Sequence, residues 1–234
     1  MSAAPVLGGF SEIANGGVVT LPSSPAEGSV MVAVTISGVD AQASIEAMGW
    51  TTVYYAYDGD WTGDHLGLFT KIAGASEPSV HDFNLEDFND KAIIVTFSDA
   101  NTSVPLSDYG HHVEFDDAVI EPIDLVSGGY HLVIAVSNNS FTIDFSGDGF
   151  TVLGQDSSYQ RATLLGRSIG SDETPSATFT DTQVYATPFI FSIGIAPAGS
   201  SGPTESPLSA YSGQLSVFGT GSLSVMTASG PVPI

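Results

Sequence analysis

The chain carries one pattern twice. A short apolar run opens at Gly28 and a second at Gly128, and each run is entered through the glycine. The landmarks that follow keep their order in both halves, while the spacing between matching landmarks shortens by a few residues, as loop deletions would produce. Chance similarity among β-rich segments is the alternative explanation. The preserved order predicts a duplicated β-structure with divergent repeats at 28–100 and 128–196.

The matched landmarks include glycine, aromatic and charged positions. They are Gly49-Trp50-Thr51 with Gly149-Phe150-Thr151, the stretch 71–83 with 167–179, and the closing apolar runs 92–97 and 188–193. Large aromatic rings bury more apolar area than other side chains, so Trp50 and Phe150 are expected to fill matching ends of the core.

The stretch that begins at Lys71 predicts a corner between two strands. Gly74 permits a tight turn, and the proline that follows Glu77 cannot donate a hydrogen bond to a sheet. Lys71 can pair with Glu77 across this corner, as Arg167 can with Glu173, and solvated side chains are the alternative. An exposed ion pair of this kind would contribute about 0 to 1 kcal/mol to stability.

Strand-like segments bounded by turn residues recur along the chain. They are expected at 17–21, 30–37, 50–57, 65–73, 79–85, 91–98, 112–115, 130–137, 140–145, 150–154, 161–169, 176–182 and 187–195. The main helical candidate is the segment 86–89. This pattern predicts an all-β protein, an antiparallel β-sandwich of jelly-roll type. Both repeats are expected in one sandwich over residues 1–197, because a single repeat would leave a large apolar face uncovered.

The composition changes after Pro197. Residues 198–207 are rich in glycine, serine and proline and predict a linker. Strand-like alternation then returns, and residues 198–234 are expected to form a linker and a β arm for assembly, with a disordered tail as the alternative. The candidate contact residues of the arm are Tyr211, Leu215, Val217, Phe218, Leu223 and Val225.

Charge and composition exclude several functions. Four basic residues stand against 26 acidic ones, a formal net charge of −22, so the surface repels nucleic acids and anionic membranes. The chain has no cysteine, which excludes disulfides and thiolate metal sites. No apolar run is long enough to span a bilayer, and the first ten residues lack the basic and apolar regions of a secretory signal. The acidity is compatible with a saline habitat, and equally with no adaptation to salt.

One stretch resembles a known family. Gly49-Trp50-Thr51, the block 71–78 and the later Ile-Ile-Val-Thr-Phe run are similar to a β-sandwich domain that recurs in structural proteins of tailed bacteriophages. The resemblance covers 28–196, and the block 71–78 is its most distinctive part. It implies a virion component, such as a tail fibre, a tail tip or a head decoration or turret protein, made in the host cytoplasm. It implies no catalytic residues.

Candidate chemistry is sparse. Gly166-Arg167-Ser168-Ile169-Gly170 matches the G-x-S-x-G string of serine hydrolases, but that mechanism needs a helix after the serine and none is predicted. His111 and His112 are adjacent, so on a strand they would point to opposite faces and could not easily share a metal ion. The sequence therefore predicts a protein without catalytic activity.

The loop near residue 60 holds the candidate ligand site. Asp58, Asp60 and Asp64 are weak candidates for calcium, the one cofactor considered, although the spacing is not that of an EF-hand. A flexible acidic loop is the simpler interpretation. Trp61, flanked by glycines, is the candidate for an exposed aromatic contact.

Two functions follow from the sequence. The first is a non-enzymatic structural protein of the virion that assembles with copies of itself, expected as a trimer by analogy with fibres and decoration proteins, and with other virion proteins. The alternative is a carbohydrate-binding module or adhesin that contacts a host surface glycan through Trp61.

Overall fold

A computed structural model gives the fold of the protein. It describes residues 3–11, 14–15, 17–58, 64–85, 90–113, 118–120, 122–136, 143–144, 149–155, 162–174, 177–181, 189–200, 224–227 and 230–233. The chain divides into two compact units, Met1–Gly202 and Pro203–Ile234. No helix within these ranges has the length and apolar content needed to cross a bilayer.

The first half of the larger unit contains strands and one short helix. They are β1 (Val6–Phe10), β2 (Ala14–Asn15), β3 (Val18–Thr20), β4 (Val30–Ser37), α1 (Gln42–Ala47), β5 (Thr51–Asp58), β6 (Asp64–Ile72), β7 (Val80–Asp82) and β8 (Lys91–Ser98). The second half contains β9 (Leu106–Val113), β10 (Ala118–Ile120), β11 (Tyr130–Val136), β12 (Ile143–Asp144), β13 (Thr151–Gln155), β14 (Ala162–Ser168), β15 (Ala177–Asp181) and β16 (Phe189–Ile195).

Each half builds one large antiparallel sheet. The first sheet has the order β1-β8-β4-β6-β5, with β2 also on β8, and the second has the order β9-β16-β11-β14-β13 when read from its β9 edge. Smaller sheets accompany them, β3 with β7 in the first half and β10, β15 and β12 in the second. Strands that match in the two repeats therefore occupy matching places in the two sheets.

The correspondence extends to backbone irregularities. A β-bulge falls between Thr52 and Tyr54 in β5, and one falls between Val152 and Gly154 in β13. The glycines that open the repeats are also alike, since Gly28 has a φ of 79° and Gly128 a φ of 77°. Glycine adopts such angles without steric cost, so both repeats use it at the same turn.

The core lies between the two large sheets. Strands β4 and β11 are buried along their whole length, and alternate residues of β4 (Val30, Val32 and Val34) face the second sheet. The same cluster includes side chains of β6, β8, β14 and β16. This arrangement is the predicted antiparallel sandwich. Its connectivity differs from that of a jelly roll, because each sheet is built from one half of the chain.

A second core covers the outer face of the first sheet. Met31 and Ala33 of β4 pack there with Val19 of β3, Ile45 of α1 and Trp50. Trp50 is 3% exposed and its ring lies 5.5 Å from that of Phe83 and 5.9 Å from that of His81, so it fills the core end as predicted. The first sheet is therefore buried on both faces.

The two strand corners carry the predicted ion pairs. Lys71 Nζ lies 2.6 Å from Glu77 Oε1, and Arg167 lies 2.7 Å from Glu173 Oε1. Each cation also lies against the aromatic ring of its own repeat, Lys71 at 5.9 Å from the Trp50 centroid and Arg167 at 5.0 Å from that of Phe150. Glu77 is more buried than the sequence predicted, with a side chain 5% exposed.

Some elements differ from the predicted ones. Helix α1 was not predicted, and the predicted helical segment 86–89 lies outside the described residues. Strand β9 begins at Leu106, six residues before the predicted start at 112. Strands β1, β2 and β10 were not predicted at all. In the smaller unit, the described strands are β17 (Ser224–Thr227) and β18 (Gly230–Pro233), which pair with each other.

Substitution of Glu77 tests the corner of the first repeat. Burial alone would raise the pKa of Glu77, but the hydrogen bonds from Lys71 and from the Gly74 N–H hold this pKa below its ordinary value. Glu77→Gln removes the charge opposite the largely buried Lys71. We expect a loss of about 1 to 3 kcal/mol in the free energy of unfolding, measured by urea denaturation. The matched control is Glu173→Gln, which should lose less because Glu173 is 34% exposed. Equal losses would contradict this assignment.

Replacement of His131 tests a buried imidazole in the second repeat. Burial, together with the positive charge of Arg167, lowers the pKa of His131 from 6.5 to about 3. Between these values the unfolded chain binds a proton that the folded protein does not, so stability falls as the pH drops through this window. The variant His131→Met has the residue found at the matching position of the first repeat, Met31. Between pH 7 and pH 5, its free energy of unfolding should fall by about 2 kcal/mol less than that of the parent protein. Urea denaturation of both proteins at pH 7 and pH 5 measures this difference. A variant with the same pH dependence as the parent would contradict the role of His131.

Candidate functional site

The sandwich has two edges that differ in length. Strands β5 and β9, eight residues each, are the last strands of their sheets on one side. On the other side the last strands are β1 and β13, five residues each. Among the described strands, β5 pairs with β6 alone and β9 with β16 alone. Open edge strands present unpaired backbone groups to other chains, so the longer edge offers the larger surface.

Aromatic contacts join β5 to β9 across the sandwich. The ring of Tyr54 lies 4.1 Å from that of His111 and 6.0 Å from that of Phe191. The hydroxyl of Tyr109 donates a hydrogen bond to the carbonyl oxygen of Val53, at 3.3 Å. Val53 is the residue at the bulge of β5. These contacts hold the two edge strands next to each other.

A second aromatic group lies on the outer face of β5. Tyr57 is 61% exposed, and its ring lies 4.9 Å from that of His65, which stacks on Tyr55 at 5.6 Å. The Tyr55 hydroxyl accepts a hydrogen bond from the Ala41 N–H, and burial raises the pKa of Tyr55 to about 12. Tyr55 therefore has a structural contact, while Tyr57 presents most of its ring to solvent.

We call this surface the tyrosine–histidine edge. It comprises Tyr54, Tyr57 and His65 of the first sheet and Tyr109 and His111 of the second. Tyrosine is enriched in protein interfaces because its ring is apolar and its hydroxyl can still form hydrogen bonds. The strand β5 has no lysine or proline that would block the addition of another strand. The arrangement can bind a partner by strand pairing and ring contact.

The predicted calcium and ligand residues are placed only in part. Asp58 and Asp64 are register partners in the hairpin of β5 and β6, and Asp64 is 8% exposed. Asp60 and Trp61 lie outside the described residues. Within the described ranges, no group of three histidine, aspartate or glutamate residues could hold a metal ion.

The predicted arm residues are also placed only in part. Val225 lies in β17, opposite Val232 of β18. The remaining candidates, Tyr211, Leu215, Val217, Phe218 and Leu223, lie outside the described residues. The described part of the predicted arm is thus the hairpin formed by 224–227 and 230–233.

The two sequence motifs considered as a catalytic site and a metal site lie on strands β14 and β9 of the second sheet. Ser168 is the last residue of β14, and residues 169–174 contain no helix, so the stretch lacks the turn into a helix that exposes the nucleophile of serine hydrolases. His111 and His112 are successive residues of β9 and therefore alternate between its faces. Nothing in the sequence indicates that His111 contacts Tyr54, because that contact depends on how the two sheets pack.

Comparisons with protein-family models, with curated proteins and with solved structures give no match for this chain. The tyrosine–histidine edge is therefore interpreted from its own geometry.

Tyr54 and Tyr57 should differ in what they do for stability. Tyr54 packs between the two sheets, so Tyr54→Ala should lower the free energy of unfolding by about 2 kcal/mol. Tyr57 is mostly exposed, and Tyr57→Ala should change it by no more than about 0.5 kcal/mol. Chemical denaturation of the two variants in parallel measures the difference. A large loss in Tyr57→Ala would show that this side chain is part of the core.

Proposed function

We propose that the protein is a non-enzymatic structural component of a tailed-phage virion, in a tail fibre, a tail tip or the decoration of the head. It acts by assembling with copies of itself and with other virion proteins. The observation that carries the proposal is the tyrosine–histidine edge, where two long edge strands lie side by side with an exposed tyrosine. The resemblance of residues 49–51 and 71–78 to phage structural domains supports the class of protein.

Strand addition supplies the chemistry of assembly. In this mode the backbone of a second copy pairs with an edge strand, and side chains on alternate positions provide specificity. The eight residues of β5 offer a longer ladder than the five of β1 or β13. Tyr57 lies beside the new strand in this arrangement and packs against it.

Electrostatic repulsion opposes assembly. Each copy carries a net charge of −22, and two of its four basic residues, Lys71 and Arg167, are held in ion pairs within the protein. Copies therefore repel one another at low ionic strength. Apolar contact and backbone pairing must overcome this repulsion, and salt reduces it by shortening the screening length.

The state of assembly of the full chain tests the proposal. We expect a closed oligomer, with three copies as the first expectation, in sedimentation velocity experiments. Association should strengthen as NaCl is raised from about 0.05 M to about 0.5 M. Tyr57→Asp should dissociate the oligomer by placing a charge against the added strand. The matched control is Val152→Asp, at a similarly exposed position (51%) of β13 on the opposite edge, which should assemble like the parent.

The same measurement separates the edge from the C-terminal unit. The cut belongs after Gly202, because Ala198 and Ser200 still make hydrogen bonds to Asp99 and Asn101 in the larger unit. If this truncation abolishes assembly, the C-terminal unit contributes to the contact between copies. A parent protein that sediments as a monomer at every salt concentration would disprove the proposal.

A further inference from the structure

A cavity of about 290 Å³ lies on the outer face of the first sheet. Its floor is formed by Gly8 and Gly9 of β1 and by Thr96 and Ser98 of β8, and its wall is the loop 21–29 that joins β3 to β4. Thr96 alternates along β8 with Val95 and Phe97, which face the core between the sheets, so the cavity opens on the other face. We call it the serine cavity.

In the second half of the chain, buried apolar side chains occupy the matching loop. The loop 121–129 has the same length as 21–29, and both loops have a glycine with positive φ as their second-last residue. Ile123 is 2% exposed and Leu125 is 3% exposed, and both pack with Ile169. In the strand register, Gly194 lies opposite His131 as Thr96 lies opposite Met31, two residues beyond the match that the sequence suggested. A Cβ built on Gly194 would lie 3.0 Å from the side chain of Leu125.

The difference follows from a few substitutions. Ser23, Ser24 and Pro25 stand where the second loop has Ile123, Asp124 and Leu125. In the second loop, the Asp124 N–H donates a hydrogen bond to the Asp108 side chain of β9, at 2.8 Å. The residue at the matching position of β1 is Gly9, which has no side chain to accept such a bond. The cavity is thus a property of the first repeat's sequence and not of the fold that both repeats share.

Ser29 contributes a hydroxyl to the cavity. The residue is 7% exposed and is part of the lining. The matching residue of the second repeat is Gly129, where a Cβ would lie 2.8 Å from the Ile195 carbonyl oxygen, so no hydroxyl fits there. The first half of the chain thus has a hydroxyl at a position where the second half has a glycine.

The lining defines the chemical class of ligand. It contains the hydroxyl-bearing residues Ser23, Ser24, Ser29, Thr96 and Ser98. The Thr96 hydroxyl already donates a hydrogen bond to the Gly9 carbonyl oxygen at 3.2 Å, so the four serines offer the free donors. Hydroxyls both donate and accept hydrogen bonds, as do those of a sugar. The described lining contains no charged side chain, and the net charge of −22 disfavours anions. We propose that the serine cavity binds a single uncharged sugar ring of a glycan.

The size and shape of the cavity agree with this ligand. Its volume is at the lower end of small-molecule sites, which suits one ring better than a larger molecule. The lining includes no aromatic side chain among the described residues, so binding lacks ring stacking and should be weak, with a Kd on the order of 1 mM. A peptide strand added to β1 would instead pair along the sheet edge and leave the hydroxyls on the outer face without partners.

The experiment uses the full chain and a panel of neutral monosaccharides. Saturation-transfer NMR and titration with glucose, galactose, mannose, N-acetylglucosamine and N-acetylgalactosamine should identify at least one ligand of the parent protein. The double variant Ser23→Ile/Pro25→Leu fills the cavity with the residues found at the matching positions of the second repeat. It should weaken binding at least tenfold. Ser29→Ala, which removes one hydroxyl without filling the space, should weaken binding severalfold.

Controls keep the outcomes separate. Ser171→Ile makes a similar change at an exposed position of the second repeat and should bind like the parent. Circular dichroism and thermal unfolding check that each variant is folded. If no sugar in the panel binds the parent, or if the filled variant binds equally well, the proposal is wrong. If the parent binds no sugar and the filled variant sediments differently from the parent, the cavity binds a peptide segment of another copy instead. The assembly proposal is tested at Tyr57, so the two can fail independently.

Discussion

Apolar burial between the two large sheets is the interaction on which the rest of the molecule depends. The central strands β4 and β11 have no exposed residue, and the first sheet is covered on its outer face as well. A strand buried on both faces consists of a continuous apolar run, which is how these segments read in the sequence. Because the faces are occupied in this way, the edges are left for contacts with another chain. We therefore place the proposed assembly contact at the long edge formed by β5 and β9.

The two halves show what a shared fold requires and what it leaves free to change. Both keep a cation, a glutamate and an aromatic ring at the strand corner, as Lys71, Glu77 and Trp50 in the first half. Both also keep the bulge in the edge strand. Away from these points they diverge, since His131 replaces a methionine and loop 121–129 fills the space that the first half leaves open. The shared positions support the same backbone in both halves, while the differing ones change the loop lining and the buried side chain at position 131.

The sequence predicts most strands because their apolar runs are long and uninterrupted, and β4 and β8 match the predicted bounds without error. It fails where local signals are weak. Strand β1 contains two adjacent glycines, and α1 has six residues with no side-chain cap and no acid in its first turn. The corner ion pairs are predictable because repetition marks them. The contact of Tyr54 with His111 and the serine cavity are not, because each joins segments that only the packing of sheets and loops brings together.

Charge connects the two proposals. Lys71 and Arg167 are paired with glutamates, and Lys91 is 1% exposed, so three of the four basic residues offer little positive charge to the surface. The surface is left strongly negative. Such a surface attracts neither phosphates nor anionic lipids, and it weakens contact between identical copies unless apolar groups and backbone pairing provide the attraction. A neutral sugar is unaffected by this field, since hydrogen bonds to hydroxyls require no opposite charge. The exposed tyrosine at the edge and the uncharged serine cavity both suit a protein of this charge, because neither proposed contact requires a positive group on the surface.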